Sequence, residues 1–239
     1  MAWGSPSRLD ASAVIDLADC AGRLSPGQWS VALLRHAYPD AADEAVLALP
    51  VGARDRLVLD VRARLAAGPL RAEPVCDACG ATYELTLDPA EFGLAGDAPW
   101  PDPGFCGVQV GGVVVNLRPV SLGDLLAVET VVSPQAAAEM LAVRVQEGAF
   151  DLPAEALEAA LETLDPGADV WLQVACPDCD ARQSVAFDAV HFVAHELRQM
   201  SKQVLQDVVD IARVFHWSEA DILALPDHRR AFYVAEALG

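Results

Sequence analysis

Four of the six cysteines fall in two Cys-x-x-Cys pairs, Cys76/Cys79 and Cys176/Cys179, whose positions differ by 100 residues. The first pair lies in Val75-Cys76-Asp77-Ala78-Cys79-Gly80 and the second in Ala175-Cys176-Pro177-Asp178-Cys179-Asp180. A tight turn between two cysteines lets both sulfurs take corners of one tetrahedron, and a second such turn supplies the remaining two. The residue after the second cysteine of each turn has to adopt positive φ, which Gly does freely and Asp tolerates; here it is Gly80 and Asp180. An alternating strand follows each pair and ends in Asp88 or Asp188, 12 positions after the first cysteine in both copies. The spacing predicts a structural Zn2+, one per chain, held by Cys76, Cys79, Cys176 and Cys179, and pinning two β-hairpins together.

Other chemistries for these residues are less well supported. A redox dithiol of the thioredoxin kind sits at a helix N-terminus, where the dipole lowers the thiol pKa, whereas strand-like sequence follows both pairs here. Structural disulfides suit exported chains, and Met1-Ala2-Trp3-Gly4 does not open a signal peptide. Cys20 reads as a small core residue of a helix, and Cys106, in a Gly/Pro-rich loop, as a spare thiol. His191 and His195 are spaced i, i+4 on a helix, but no third ligand accompanies them. Gly-x-Ser-x-Gly, the P-loop, His-Glu-x-x-His and the dinucleotide fingerprint are all missing from the sequence, so no enzyme is expected.

Composition narrows the partners. The net charge is −19 over 239 residues, which disfavours nucleic acid, because phosphate binding needs a basic face. Around the two pairs, Asp77, Glu84, Asp88, Asp178, Asp180 and Asp188 outnumber Arg71 and Arg182. That weighs against the alternative function, a zinc-ribbon adaptor for nucleic acid or the transcription machinery. The hydrophobic share of 53%, much of it alanine, suits a helical protein with a real core. No apolar run reaches the ~18 residues of a spanning helix, so no membrane partner is expected, and nothing points to a small-molecule substrate.

The elements that would position the cysteines are mostly helices. The first is expected over 12–22. The second is opened by Ser25-Pro26-Gly27-Gln28 as a capping box and staple and runs to about Ala37. A short helix over 40–49 and a longer one over 52–67 follow, the latter carrying Arg54, Arg56, Arg62 and Arg64 as a solvated basic face. The first knuckle hairpin spans 70–88, a long loop 93–106, and a second hairpin turns at Gly111-Gly112. Three helices over 121–131, 134–147 and 153–164 form an insert before the second knuckle, with Ser121 and Asp124 as a capping box. Its strands are 170–175 and 183–187. The longest helix follows Asp188 to about Phe215, with Val190, Val193, Leu197, Met200, Val204, Val208, Ile211 and Phe215 in a near-heptad stripe that packs internally or on a partner. Ser218 with Asp221 starts another helix, and a last one contains Phe232 and Tyr233 behind the basic cluster His228, Arg229 and Arg230. The long helix with its two short successors, together with the 93–106 loop, is the expected docking surface.

The fold class expected is therefore α+β and mainly helical, with helical N- and C-terminal parts around a small antiparallel zinc-ribbon-like β module that carries a helical insert. Its parts are a helical region 1–70, the first knuckle and hairpins 71–118, the insert 119–165, the second knuckle 166–188, and a helical region 189–239.

The closing segment carries a resemblance. Asp207-Val208-Val209-Asp210-Ile211-Ala212, then His216-Trp217-Ser218-Glu219-Ala220-Asp221-Ile222-Leu223-Ala224-Leu225 and Arg229-Arg230-Ala231-Phe232-Tyr233, resemble the end of baseplate hub assembly chaperones. That family occurs with contractile phage tails of the T-even type and phage-like contractile injection systems. Leu49-Pro50-Val51-Gly52-Ala53-Arg54-Asp55 through Leu65, both cysteine knuckles, and Leu117-Arg118-Pro119-Val120-Ser121 with Asp124-Leu125-Leu126 are similar to its bacterial members. The resemblance implies a role without catalysis, in building the baseplate hub by binding other baseplate or hub proteins. The six cysteines, four of them in knuckles, fit a reducing bacterial cytoplasm, with or without retention in the assembled particle.

Overall fold

The computed structural model describes residues 3–66, 68–95, 100–110, 112–148 and 152–239. Residues 96–99 of the long loop, Gly111 of the Gly-Gly turn and Ala67 at the expected end of the fourth helix lie outside the described residues. The described chain is mixed α and β, with small antiparallel sheets among helices. Its contacts divide it into two compact units, residues 1–39 with 190–239, and residues 40–189. This grouping separates the first two helices from the rest of the 1–70 region. No described helix is long and apolar enough to cross a membrane.

The unit built from the two chain ends is helical. Helix α1 (Ala11–Cys20) is capped by Asp10, whose carboxylate accepts the Ala13 N–H at 2.8 Å. Helix α2 (Pro26–Ala37) starts with the Ser25–Gln28 capping box, Pro26 standing where a lost N–H costs nothing. Trp29 is fully buried and donates its indole N–H to the Leu17 carbonyl at 2.9 Å, which ties α2 to α1.

The long helix of this unit, Ala189–Phe215 (α8 in chain order), ends at His216, whose φ of 57° and N–H bond to the Ala212 carbonyl close it. Ser218 caps α9 (Glu219–Leu223) by accepting the Asp221 N–H, but its hydroxyl bonds the Asp221 carboxylate, so the reciprocal half of the expected box is replaced. The final helix is α10 (Asp227–Leu238). The apolar stripe is an internal seam: Val190, Val193, Leu197, Val204, Val208 and Ile211 are buried, while Met200 and Phe215 are half-buried. Val208, Ile211 and Ile222 form one cluster with Phe215, Trp217 and Tyr233 around it. The stripe is thereby withdrawn from the expected docking surface. Arg230 of the basic cluster is likewise buried, between Asp207 and Asp227.

In the other unit, α3 (Asp43–Leu47) leads to α4 (Val51–Leu65). The N-cap of α4 is Pro50, which has no side-chain acceptor to offer. The role passes to Asp165, 113 residues away, whose buried carboxylate accepts the Gly52 N–H at 2.8 Å. Gly52 is required for this approach, because a Cβ there would lie 2.1 Å from Asp165 Oδ1 and 2.9 Å from the Gly167 backbone. The arginines of α4 depart from the solvated face expected of them. Arg54, Arg56 and Arg62 are buried and only Arg64 is exposed. Arg54 pairs with buried Asp55 at 2.6 Å, and Arg56 lies over the Trp100 ring at 4.6 Å. Arg62 donates to the Gly68 and Pro69 carbonyls at 2.6 and 3.1 Å, which closes the helix end and sets the exit toward the first knuckle. Burial pushes the Asp55 carboxyl up to about 7 in spite of the Arg54 guanidinium.

Strands β1 (Leu70–Ala72) and β2 (Leu85–Leu87) form the first hairpin, in register Leu70 to Leu87. Asp88 then caps a 3-10 turn (Pro89–Phe92) that ends at Gly93, φ 77°, and delivers buried Leu94. Strands β3 (Cys106–Val110) and β4 (Val113–Leu117) pair as expected, Val110 facing Val113. A third strand, β5 (Gln146–Glu147), adds to β4 where a helix was expected to continue to 147. Helices α5 (Leu122–Val128), α6 (Pro134–Val145) and α7 (Ala154–Leu164) make up the insert. Leu157 and Ala160 of α7 pack on Val110, Val115, Leu117 and Val145.

One buried carboxylate organises this insert. Asp124 accepts from Arg118 at 2.6 and 3.1 Å, from Arg144 at 2.7 Å, and from the Ser121 N–H and hydroxyl at 2.9 Å each. It joins the end of β4, the start of α5 and the end of α6. Burial would raise its pKa, but the Arg118, Ser121 and Arg144 hydrogen bonds outweigh that and hold it well below the usual carboxylate range. A depressed folded value means stability that is present above the unfolded value, ~3.9, and lost as pH falls through the folded one. Asp124→Asn will cost about 3–5 kcal/mol near neutrality. It will also flatten the acid limb below about pH 4, as checked by denaturant unfolding across pH. Gly52→Ala will lose about 1–3 kcal/mol by overpacking against Asp165, measured in the same titration at pH 7.

Candidate metal centre

Strands β6 (Val170–Ala175) and β7 (Arg182–Phe187) form the second knuckle hairpin, in register from Val170–Phe187 to Ala175–Arg182. The two knuckle turns share two backbone hydrogen bonds. Cys76 N–H donates to the Ala81 carbonyl at 2.8 Å and Cys176 N–H to the Ala181 carbonyl at 2.9 Å. The Gly80 N–H returns to the Cys76 carbonyl at 2.8 Å, and the Asp180 N–H to the Cys176 carbonyl at 2.9 Å. Both returning residues have positive φ, 75° at Gly80 and 58° at Asp180, as the turn requires.

The structure brings Cys76, Cys79, Cys176 and Cys179 together, with all four Sγ atoms within 4.8 Å of one another. Cys76 Sγ lies 3.7 Å from Cys179 Sγ, and Cys79 Sγ 3.8 Å from Cys176 Sγ. Thiolates ~2.3 Å from a common tetrahedral metal stand about 3.8 Å apart along each edge, so the cluster could hold a metal ion with little change. A disulfide would need ~2.05 Å, and all six cysteines are free thiols. Cys76 and Cys176 are buried beneath the turns, while Cys79 and Cys179 lie at the exposed side.

The local field acts in opposite directions on the sulfurs. The Cys79 and Ala78 N–H groups point at the Cys76 sulfur and lower its pKa to about 7. At Cys179 the Ala181 N–H pulls the value down, but neighbouring Cys79 and burial outweigh it and push the thiol up to about 12. Four sulfurs at this spacing repel as anions, and a divalent cation among them removes the conflict. Behind them, Tyr83 and Val174 form the floor, with Leu85, Leu172 and Val185 packed around it. Burial raises the Tyr83 phenol, and the nearby Cys176 and Cys76 add to the shift.

The remaining candidates are not part of this cluster. Cys20 is half-buried in α1, 3.9 Å from an Arg23 guanidinium nitrogen, and Cys106 is exposed at the start of β3. Among the described residues the four knuckle cysteines are the one group of three or more metal-ligating side chains, so His191 and His195 gain no third ligand. Sequence reasoning passed over Gln183, whose side chain reaches the first knuckle from the second hairpin; nothing local marks a glutamine in an alternating strand. Comparisons with protein-family models, with curated proteins and with solved structures found no match to the chain.

Cys176→Ser will abolish stoichiometric metal binding, because Cys176 is fully buried and its hydroxyl replacement is a poor ligand. Elemental analysis of parent and variant, with expected values of one and no metal ion per chain, checks this.

Proposed function

We propose that this chain is a protein-binding factor without catalytic activity, acting in assembly of the baseplate hub of a contractile phage tail or phage-like contractile injection system, or as part of that hub. The observation that carries the reading is the resemblance of the closing segment, His216 to Leu225 with Arg229 to Tyr233, to hub assembly chaperones. The site chemistry supports it. A metal closed by four cysteine sulfurs keeps no position for water or substrate, so it stabilises a scaffold rather than reacting. Zinc is the metal of choice, since soft tetrahedral sulfur sites select zinc or iron–sulfur chemistry, and one four-cysteine site with a short return strand suits a single zinc ion. Metal held in this way contributes roughly 10 kcal/mol or more to folding.

The surface is compatible with protein partners. Val132, Val143, Trp171 and Phe232 are exposed at 98%, 75%, 57% and 59%. The surrounding charge is strongly acidic, −19 over the chain, and favours basic protein surfaces over phosphate backbones.

Two measurements test the proposal. Elemental analysis of the purified chain will give one zinc per chain, with four thiols titratable only after chelation. Co-expression with the hub subunits of a contractile baseplate will give a complex that survives ~0.5 M salt, whereas nucleic-acid binding collapses steeply over that range. A chain that ignores every hub subunit but shifts DNA or RNA in a salt-dependent manner overturns the assembly role in favour of a nucleic-acid adaptor.

A further inference from the structure

The two knuckles share their turn geometry, but one difference in sequence bears on the metal centre. Seven residues after the first cysteine the first copy has Tyr83 and the second has Gln183. Tyr83 turns inward and forms part of the floor beneath the sulfurs. Gln183 is half-buried and reaches across to the other hairpin. Its Oε1 accepts the Asp77 N–H at 3.1 Å, and its Nε2 donates to the Val75 carbonyl oxygen at 3.2 Å.

These bonds fall on the backbone that flanks Cys76. An acceptor for an N–H and a donor for a carbonyl are what one carboxamide offers, so the pair fixes both the orientation of Gln183 and the position of the turn. In the first turn the Asp77 N–H goes to Gln183 and that of Gly80 to the Cys76 carbonyl. Apart from the Cys76–Cys179 and Cys79–Cys176 sulfur contacts, the Gln183 bonds are what tie the first turn's backbone to the other hairpin among the described residues. Without them, and without metal, apolar contacts beneath Cys76 and Cys176 hold the turns together, and such contacts do not fix the rotation of one turn against the other.

We propose that Gln183 is a positioning residue for the metal centre: by gripping Asp77 N–H and Val75 C=O it sets the first knuckle against the second, so that the four sulfurs stand near tetrahedral spacing before a metal ion arrives. This role rests on the metal-binding reading of the four cysteines. Outer-shell hydrogen bonds that orient ligands commonly change metal affinity by 10- to 100-fold, and the clamp acts on the ligand-bearing turn itself.

The test uses the full chain, Zn2+ alone as the probe, and a chromophoric chelator as competitor. Gln183→Ala will weaken Zn2+ binding by roughly 10- to 100-fold. It will also raise hydrogen exchange at the Asp77 amide in the metal-free protein. Gln183→Glu keeps the acceptor and loses the donor, and will show a smaller loss of affinity with the Asp77 amide still protected. Gln173→Ala, which removes only a 2.9 Å bond to Ser184 within the second hairpin, will match the parent. If Gln183→Ala fails to fold, Gln183→Glu decides: parent affinity in that variant overturns the role. Parent affinity in a folded Gln183→Ala overturns it equally and leaves the metal centre standing. A parent chain that takes up no Zn2+ overturns the metal reading first and this role with it.

Discussion

The crowding of four ionisable sulfurs within 4.8 Å is the constraint on which the architecture turns. Thiols placed so closely gain little from one another as neutral groups and repel as anions, so the arrangement makes physical sense around a cation. It also meets a need of the chain. The first hairpin pairs only three residues a side, and the second six, and isolated two-stranded hairpins are marginal in water. Packing the two turns on a shared sulfur cluster lets each hairpin borrow stability from the other.

Between the two knuckles the chain leaves for roughly a hundred residues and has to return to the same place. Two buried aspartates fix that excursion. Asp124 gathers Arg118, Arg144 and Ser121, so that the strand, the helix start and the helix end of the insert meet at one carboxylate. Asp165 stands just ahead of the second hairpin and caps α4, which itself leads into the first. The caps and pairs of the insert are therefore more than local helix signals. They set where β6 begins, and through it where Cys176 and Cys179 lie relative to Cys76 and Cys79.

In the proposed role the centre is a scaffold and the surface does the binding. A closed four-sulfur site leaves reactivity no opening. The apolar stripe of α8, which by pattern alone could have served as a docking face, is consumed by the fold. What remains for partners is a set of dispersed exposed apolar residues, Val132 and Val143 of the insert among them, on a strongly acidic chain.

The local sequence determined a good deal. The knuckle turns, the Gly80 and Asp180 positions, the Ser25 and Ser121 boxes, the β3–β4 hairpin and the length of α8 follow from interactions within a few residues, and each leaves a fixed spacing or periodicity to read. Tertiary structure alone decided the rest. The arginines of α4 look like a solvated face until Asp55, Trp100 and the carbonyls of Gly68 and Pro69 are placed around them. The β5 strand exists because β4 offers it an edge. Asp165 and Gln183 reach partners 113 and 106 residues away, and contacts at that separation leave no periodic trace in a single sequence, because their geometry is set by packing rather than by the spacing of the chain.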